Sequence, residues 1–384
     1  MKWETYKLKQ LCSEIVDCVN KTAPTSDVPT PYKMLRTSDI RDGKINLENL
    51  NCVTKEVYEK WTRRGKLQKG DVIFTREAPL GEVGLVREEK NYFLGQRLVL
   101  FRANNKMCDG RFLMYSLLWH DNKQAIISKG VGSTVAHLRV PECENIEIKV
   151  PDLDAQHRIA DILSAYDDLI ENNQKQIKLL EEAAQRLYKE WFVNLRFPGH
   201  ENTEIVDGVP EGWHRGTVGQ IAEFKRGRTI TKAQVKGGNV PVVAGGLEPA
   251  YYHNVANTKA PVITISASGA NAGFVRLYGV DVFASDCSFV DGLGTESLFF
   301  VYEFLKESKV SIDQLQKGSA QPHVYAKDIN AMKITIPEKE YLEQFDRYAK
   351  VYFNKIKTLQ GQNERLKIAR DFLLPKLMNG KVEV

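Results

Sequence analysis

Two long segments of the chain carry mostly apolar side chains at alternating steps of four and three residues. In the first segment these positions are Tyr166, Ile170, Asn173, Ile177, Leu180, Ala184, Leu187 and Trp191. In the second they are Tyr352, Ile356, Leu359, Asn363, Leu366, Arg370, Leu373 and Leu377. Steps of four and three are the heptad spacing of a coiled coil. The pattern therefore predicts two long helices, each with one seam.

Each seam contains one asparagine, Asn173 in the first and Asn363 in the second. A buried asparagine costs stability but fixes the register of a helix pair, so we expect these two helices to pair specifically. The alternative is that each asparagine faces solvent at a frayed seam. Arg370 stands where the first seam has Ala184, so the two helices are not interchangeable.

Shorter apolar runs outside these segments predict a mixture of strands and helices. Runs bounded by Gly and Asp predict strands at 70–75, 81–86, 97–101, 260–266 and 272–278. Helices are predicted at 111–120 and 297–308, followed by final strands that end at Pro151 and Pro337. Proline cannot continue the ladder of a strand, and a long helix begins a few residues later.

The chain repeats itself at a distance of 186 residues. This shift aligns Gly132–Phe192 with Gly318–Met378 without a gap and gives 12 identities in 61 pairs. The segment that opens at Trp3 likewise resembles the one at Trp213. A fixed register through strand and helix indicates one supersecondary unit used twice.

The predicted fold class is α+β, a tandem repeat with approximate twofold symmetry. Two mixed α/β modules would be separated by two long helices that form an antiparallel coiled coil, in which a helix of 40 residues is about 60 Å long. The predicted segments are a first module (1–151), a first long helix (152–195), a polar linker (196–212), a second module (213–337), a second long helix (338–378) and a tail (379–384).

Composition and charge are those of a globular protein. The chain of 384 residues is 42% apolar and 27% charged, and it has no apolar run long enough to span a membrane, so we expect a cytoplasmic location. Basic and acidic side chains number 25 and 19 in residues 1–151, 5 and 9 in 152–195, 14 and 14 in 196–337, and 9 and 6 in 338–378. The first module is therefore basic, and the helices have opposite signs.

The residue patterns of common enzymes are missing from the sequence. It contains no GxxxxGK[ST], no HExxH, no GxGxxG that opens a helix and no Pro-Pro dipeptide of the kind found in amino-methyltransferases. Its six cysteines show no CxxC spacing, and its seven histidines do not cluster with other metal ligands. We therefore expect no catalytic residue, no metal site and no cofactor bound by this chain.

Two basic runs are candidates for binding DNA phosphates. The first is Lys60, Arg63, Arg64, Lys66 and Lys69, beside Tyr58 and Trp61. The second is Lys225, Arg226, Arg228, Lys232 and Lys236, beside Phe224. Either run taken alone could be a solvated surface. Their occurrence in both modules favours DNA.

Three loops combine glycine with short polar side chains that can bond base edges. The candidate residues are Ser133, Thr134 and His137 in the first loop, Ser266, Ser268 and Asn271 in the second, and Ser319, Gln321 and His323 in the third. The alternative is that the repeated Gly-Ser and His form a purely structural turn.

The long helices and the opening of the second module resemble a known family. The segments KVPDLDAQHRIADILSAYDDLIENNQKQIKLLEEAAQRLYKEWF, ARDFLLPKLMNGKV and VPEGWHRGTVGQIAEFKRGRT are similar to the specificity (S) subunit of Type I restriction-modification systems. The resemblance covers essentially the whole chain. It is weakest inside the modules, which vary with the target sequence in that family.

The resemblance implies a non-catalytic subunit with two target recognition domains, each reading one half of a bipartite asymmetric site in double-stranded DNA. The two helices would act as spacer and docking surface. The implied partners are DNA methylation (M) subunits, two in number, which bring S-adenosylmethionine, and restriction/translocase (R) subunits, which bring ATP and Mg. The whole complex would be a DNA adenine methyltransferase and an ATP-dependent restriction endonuclease.

Tyr188, Trp191 and Phe192, near the end of the first helix, are candidates for docking the methylation subunits, with ordinary packing as the alternative. Two other functions remain open from the residues alone. One is a coiled-coil scaffold without DNA specificity. The other is an enzyme with an unfamiliar site.

Overall fold

The computed structural model describes residues 2–132, 135–318 and 321–384. They divide into two compact units. Unit 1 comprises the residues up to Glu171 together with Glu364–Val384, and unit 2 comprises Asn172–Asn363. Each unit therefore contains one module and a part of each long helix. None of the helices in the described ranges is long and apolar enough to cross a membrane.

The first module contains short strands and short helices. Its strands are β1 (Glu4–Lys7), β2 (Cys12–Asp17), β3 (Lys33–Leu35), β4 (Ile40–Arg41), β5 (Lys44–Ile45), β6 (Asn51–Cys52), β7 (Val72–Thr75), β8 (Val83–Leu85), β9 (Tyr92–Leu94), β10 (Leu98–Ala103) and β11 (Glu147–Val150). Its helices are α1 (Leu8–Leu11), α2 (Lys55–Trp61), α3 (Gly110–Leu118), α4 (His120–Ser128) and α5 (Val140–Glu144).

The first long helix, α6 (Leu153–Tyr188), continues as a π-helical turn, Lys189–Val193, and leads into a hairpin of β12 (Ile205–Val206) and β13 (Val209–Pro210). The strands of the second module are β14 (His214–Thr217), β15 (Lys225–Arg226), β16 (Val240–Val243), β17 (Tyr251–His253), β18 (Val262–Ser266), β19 (Val275–Tyr278), β20 (Phe283–Ala284), β21 (Cys287–Asp291) and β22 (Lys333–Ile336). Its helices are α7 (Val218–Ile221), α8 (Leu298–Glu307), α9 (Lys309–Gln314) and α10 (Ala326–Asn330), and α11 (Lys339–Met378) is the second long helix.

The two modules have the same sheet topology. The antiparallel order β2-β10-β7-β8 in the first module corresponds to β15-β21-β18-β19 in the second. The order β6-β3-β9 in the first module corresponds to β17-β16-β20 in the second. In these sheets the pairs β3-β9 and β16-β20 are parallel. The opening strand pairs with the closing strand in both, as β1-β11 and β14-β22. The predicted tandem repeat is confirmed, and it extends through the module interiors.

The predicted strands correspond to β7, β8, β10, β18 and β19, and the predicted final strands to β11 and β22. One detail differs from the prediction. The helix predicted at 111–120 ends at Leu118, and α4 begins at His120. Within the segment predicted as a polar linker, Phe197 is buried, with its ring centroid 4.7 Å from that of Trp213.

Parts of α6 and α11 belong to the core of each unit. In unit 1, Leu163 of α6 and Leu377 of α11 lie in one cluster with Phe74, Phe101 and Phe112 of the module. In unit 2, an aromatic cluster joins Tyr188, Trp191 and Phe345 of the long helices to Trp213 and Phe300 of the module. Burial of large apolar side chains is the main favourable term in folding, so each module depends on both helices.

Within each unit the two long helices run antiparallel, because rising residue numbers on α6 meet falling numbers on α11. In unit 2, Asn173 Nδ2 donates to Asn363 Oδ1 at 2.9 Å, and the Tyr188 and Phe345 rings lie 6.1 Å apart. Every predicted seam position is buried or half-buried. The asparagines are 3% and 5% exposed, so they do not face solvent at a frayed seam.

Candidate nucleic-acid interface

Four loops of the first module meet through backbone hydrogen bonds. They are the segments 17–22, 76–81 and 95–97 and the described residues 131–132 and 135–137, which we call loop cluster 1. Cys18 N–H donates to the carbonyl oxygen of Leu98 at 3.3 Å, and Arg76 N–H donates to that of Arg97 at 2.8 Å. Leu138 N–H donates to the carbonyl oxygen of Arg76 at 3.0 Å. These bonds join loops that are far apart in sequence.

The second module repeats this arrangement. Loop cluster 2 contains the segments 226–230, 267–272 and 284–286 and the described residues 317–318 and 321–323. Gly227 N–H donates to Cys287 O at 2.8 Å, Ala267 N–H to Asp286 O at 3.2 Å, and Val324 N–H to Ala267 O at 3.0 Å. The same three bonds connect the same elements in both modules, so they define equivalent positions.

The loops that contain the repeated Gly-Ser are closed by their own backbone. Val131 and His137 exchange two backbone hydrogen bonds of 3.0 Å, and Lys317 and His323 exchange bonds of 2.9 and 2.8 Å. Gly132 has a φ of +127°, and a Cβ there would lie 2.4 Å from Val135 O. The left-handed backbone therefore explains why a glycine occupies position 132, and the paired backbone hydrogen bonds explain where His137 and His323 lie.

Of the polar candidates in these two loops, Ser133, Thr134 and Ser319 lie outside the described residues. Gln321 is exposed, whereas His137 and His323 are half-buried. His323 Nδ1 lies 2.8 Å from Gln321 O, and its ring stacks on Tyr325 with the centroids 6.1 Å apart. The ring of His323 is therefore held within its loop.

The prediction for the loop at 266–271 needs one correction. Ser266 is 4% exposed, and its hydroxyl donates to Gly245 O at 3.1 Å, so it cannot reach a base edge. Its position at the end of β18 puts it inside the sheet rather than on the loop. Ser268 is half-buried and donates to the Asp286 carboxylate. Asn271 is also half-buried, with Nδ2 3.5 Å from Gly245 O.

The first basic run contacts loop cluster 1 through Arg64. All five of its side chains, Lys60, Arg63, Arg64, Lys66 and Lys69, are exposed. Arg64 Nη1 donates to Cys18 O at 2.9 Å, which ties the run to the first loop of the cluster. The ammonium of Lys60 lies 5.7 Å from the centroid of the Trp61 ring, and that of Lys66 lies 5.9 Å from the Tyr58 ring, within cation–π range.

The second basic run leads directly into loop cluster 2. Lys225 and Arg226 form the edge strand β15, which pairs with β21. Arg228 N–H donates to Ala284 O at 3.0 Å, within the cluster. The side chains of Lys225, Arg226, Arg228, Lys232 and Lys236 are all exposed. In both modules the fold thus brings a basic run next to a cluster of loops.

Loop cluster 1 also contains an arginine and a glutamate that the sequence analysis did not identify. Arg97 Nε lies 3.3 Å from Glu77 Oε2, and the Arg97 side chain is 51% exposed. The neighbouring Arg76 is 16% exposed, with Nη2 3.1 Å from Asp17 Oδ1 and Nη1 donating to Leu138 O at 3.2 Å. Arg76 therefore holds the loops together, whereas Arg97 reaches solvent. No local pattern in the sequence distinguishes Arg97 or Glu77 from other charged residues.

The aromatic residues near the end of α6 require a second correction. Tyr188 and Trp191 are 4% and 7% exposed, and the Phe192 ring lies 4.8 Å from Phe300 and 5.2 Å from Phe345. They belong to the core of unit 2 and do not form a docking surface. The alternative of ordinary packing is the correct one.

Two carboxyl groups of unit 2 have raised pKa values, the half-buried Asp346 and the buried Glu303. Asp346 on α11 accepts the N–H groups of Phe299 and Phe300 at 3.1 and 2.9 Å, and burial raises its pKa to about 7. Glu303 on α8 is 2% exposed, and burial raises its pKa to about 8. Within the described ranges, no group of three or more His, Cys, Asp or Glu side chains is placed to hold a metal ion.

Comparisons with known proteins identify relatives over nearly the whole length. The family model described as the Type I restriction modification DNA specificity domain matches residues 1–182 and 210–367. The Type I restriction enzyme MjaIX specificity subunit of Methanocaldococcus jannaschii is 26% identical over 344 residues, covering 82% of this chain and 78% of that protein. The putative MjaX specificity subunit of the same organism is 25% identical over 406 residues, covering 100% and 94%.

One solved structure supports the fold. The crystal structure of a Type I restriction-modification S subunit from M. genitalium aligns with a TM-score of 0.63 at 18% identity and covers 98% of this chain and 96% of that one. At this identity the likeness concerns the fold alone.

Proposed function

Because the chain belongs to the Type I restriction-modification DNA specificity family, we propose that it reads a bipartite, asymmetric DNA site with one half-site for each module. Its role is DNA sequence specificity, and catalysis belongs to other subunits of the system. The observation that carries the proposal is the pair of loop clusters. They share one hydrogen-bonded framework and one neighbouring basic run, but they differ in the side chains at equivalent positions.

The site divides into two kinds of surface. The basic runs supply positive charge for phosphates, which positions a module on the duplex without reading its sequence. The loop clusters supply donors and acceptors for base edges. Because the clusters share a backbone framework but not their side chains, the two half-sites should differ in sequence.

The chain works in a complex with methylation and restriction subunits, and the long helices offer surface for them. Exposed apolar side chains lie on both helices in each unit: Ile162, Leu169, Ile368 and Phe372 in unit 1, and Leu179, Tyr348 and Val351 in unit 2. Exposed apolar patches are typical of interaction sites. One patch per unit favours two methylation subunits per chain. S-adenosylmethionine, ATP and Mg would then be bound by the partners.

The decisive experiment maps methylation in a cell that carries the chain with its methylation partner. We expect one bipartite site with two different halves. The purified complex should also enrich that site from a pool of random duplexes. A coiled-coil scaffold without DNA specificity would enrich no sequence, and this outcome would refute the proposal.

A second test concerns the binding of DNA phosphates by the basic run of the second module. The variant Lys225→Gln/Arg226→Gln/Arg228→Gln should weaken binding of all duplexes alike and reduce the slope of log affinity against log salt by about 1 for each phosphate that is no longer neutralised. A matched control is Lys350→Gln/Lys355→Gln/Lys357→Gln on α11, outside the clusters, which should leave the slope unchanged. Equal effects of the two variants would argue against a specific role for the basic run.

A further inference from the structure

Loop clusters 1 and 2 place opposite charges at one equivalent position. Arg97 directly precedes β10, and Asp286 directly precedes the equivalent strand β21. The carbonyl oxygen of each accepts a backbone N–H from the hairpin loop, from Arg76 at 2.8 Å and from Ala267 at 3.2 Å. The two positions therefore share this backbone hydrogen bond but differ in side chain and in backbone conformation, because the left-handed φ of Arg97 has no counterpart at Asp286.

The geometry of Arg97 is that of a presented side chain. Its φ of +69° lies in the left-handed region, which arginine rarely adopts. Residues held in such conformations cluster at functional sites. Its Nε lies 3.3 Å from Glu77 Oε2, and Glu77 is the less exposed partner at 29%. Among the described residues, no hydrogen bond or other ion pair involves the two terminal nitrogens of Arg97. The glutamate therefore orients the guanidinium while its outer edge stays open to solvent.

Glu77 occupies a position that is also equivalent between the modules. It forms an isolated β-bridge with His137, and Ser268 forms the corresponding bridge with His323. In the first module this pair of positions holds an acidic side chain, Glu77, next to a basic one, Arg97. In the second it holds a hydroxyl beneath an acid, since Ser268 Oγ donates to the Asp286 carboxylate. Both pairs are internally complementary, and each presents a different chemistry.

We propose that Arg97 is a base-reading residue of the first module and recognises a guanine, with Glu77 as its positioning residue. This inference rests on the proposed function. A guanidinium can donate two parallel hydrogen bonds to N7 and O6 of guanine, which are both acceptors. The Asp286 carboxylate only accepts, so it cannot bind that edge and selects instead a base with an amino group in the groove, cytosine or adenine. The two half-sites therefore differ at the base that faces this position.

The test is selection from random duplexes, together with methylation mapping, using the full chain in complex with its methylation subunit. Arg97→Ala should abolish a guanine preference at one position of one half-site, a loss of roughly 10- to 100-fold in discrimination. The rest of that half-site and the whole of the other should be unchanged. Arg97→Lys keeps the charge beside Glu77 but loses the planar guanidinium, so it should weaken the same preference even if the alanine variant folds poorly. The control Arg63→Ala, in the basic run, should weaken all sequences alike.

Glu77→Gln tests the positioning role. It should relax the same guanine preference by less than Arg97→Ala and leave every other position intact, whereas a merely structural role would lower stability and leave the preference unchanged. The proposal for Arg97 is overturned if the wild-type complex enriches a bipartite site without a guanine that depends on Arg97. It is also overturned if Arg97→Ala weakens all sequences uniformly, as a phosphate contact would. If the wild-type complex enriches no site at all, the proposed function itself fails.

Discussion

Units 1 and 2 share a backbone plan but hold their modules against the long helices by different electrostatics. In unit 1, the buried Asp167 of α6 pairs with Arg370 of α11 and accepts the Tyr115 hydroxyl at 2.5 Å. In unit 2, Asp346 of α11 caps α8 instead, by accepting two backbone N–H groups. The first arrangement balances a buried charge with a cation. The second satisfies a half-buried carboxyl group with two backbone N–H dipoles.

The helices α3 and α8 show the same contrast. Asp109 caps α3 from within its own module, accepting the N–H groups of Arg111 and Phe112 at 2.7 and 3.2 Å. The residue that precedes α8 is Ser297, whose side chain makes no capping bond, and Asp346 replaces it from the long helix. Equivalent elements are thus stabilised by local residues in one module and by tertiary contacts in the other. Topology is conserved between repeats more strictly than the interactions that hold it.

The largest expected effect comes from breaking the buried ion pair of unit 1. Asp167→Ala leaves Arg370 and Tyr115 without their shared partner, and loss of one member of a buried pair costs about 3–5 kcal/mol. The measurement is the free energy of unfolding from denaturant titration. The control is Asp168→Ala, whose exposed carboxylate pairs with Arg87 and which should cost about 1 kcal/mol or less. Similar losses for the two variants would show that the buried pair has no special weight.

A smaller effect is expected from removing the cap of α8. Asp346→Ala leaves the N–H groups of Phe299 and Phe300 without their acceptor, and loss of a helix cap costs about 1–2 kcal/mol. The matched control is Glu343→Ala, one turn earlier on α11. Glu343 pairs with the exposed Lys339, so its loss should change stability by about 0.5 kcal/mol or less. Hydrogen exchange should locate the loss at α8. Faster exchange confined to α11 would contradict the role given to Asp346.

A comparable effect should appear as a pH dependence of the stability of unit 2. Burial raises the pKa of Glu303 to about 8 in the folded state, so the folded protein holds a proton that the unfolded chain releases at lower pH. The stability from this group is full below the unfolded pKa and is lost as pH rises through about 8. Its charged neighbours are Lys306, which opposes the shift, and Glu181 and Glu307, which add to it.

We therefore expect this group to lower the free energy of unfolding by about 2 kcal/mol between pH 6 and pH 8, and Tm by several degrees. Glu303→Gln should reduce this dependence, because the amide carries no charge at either pH, and the remaining slope should come from Asp346, whose pKa is also raised, to about 7. Glu307→Gln, at the exposed end of α8, is the matched control and should retain most of the slope. An unchanged slope in Glu303→Gln would assign the pH dependence to another group.

Prediction from sequence was most successful where the pattern is local. The positions of β7, β10 and β18 follow from short apolar runs, and the seam positions on α6 and α11 follow from the heptad spacing. The basic runs were also identifiable, because charge and exposure go together on a surface. Ser266 was misassigned because a serine at the end of a buried strand has the same sequence signature as one in a loop.

The paired positions in the loop clusters could not be identified in this way. Glu77 and Arg97 lie 20 residues apart, on opposite sides of β8 and β9, and nothing in their immediate sequence indicates that they meet. The backbone hydrogen bond from Arg76 to Arg97 brings them together. Asp346 is a similar case, because its partners are backbone groups of another helix that carry no sequence signal.

The sequence by itself determined the repeat, the order of strands and helices, the two seams and the family resemblance, because each depends on residues that are neighbours along the chain or at a fixed spacing. The tertiary structure alone decided which loops form a cluster, which acids are buried and which arginine reaches solvent. These depend on long-range hydrogen bonds and on burial. The same framework can therefore carry Arg97 in one module and Asp286 in the other without a change of fold.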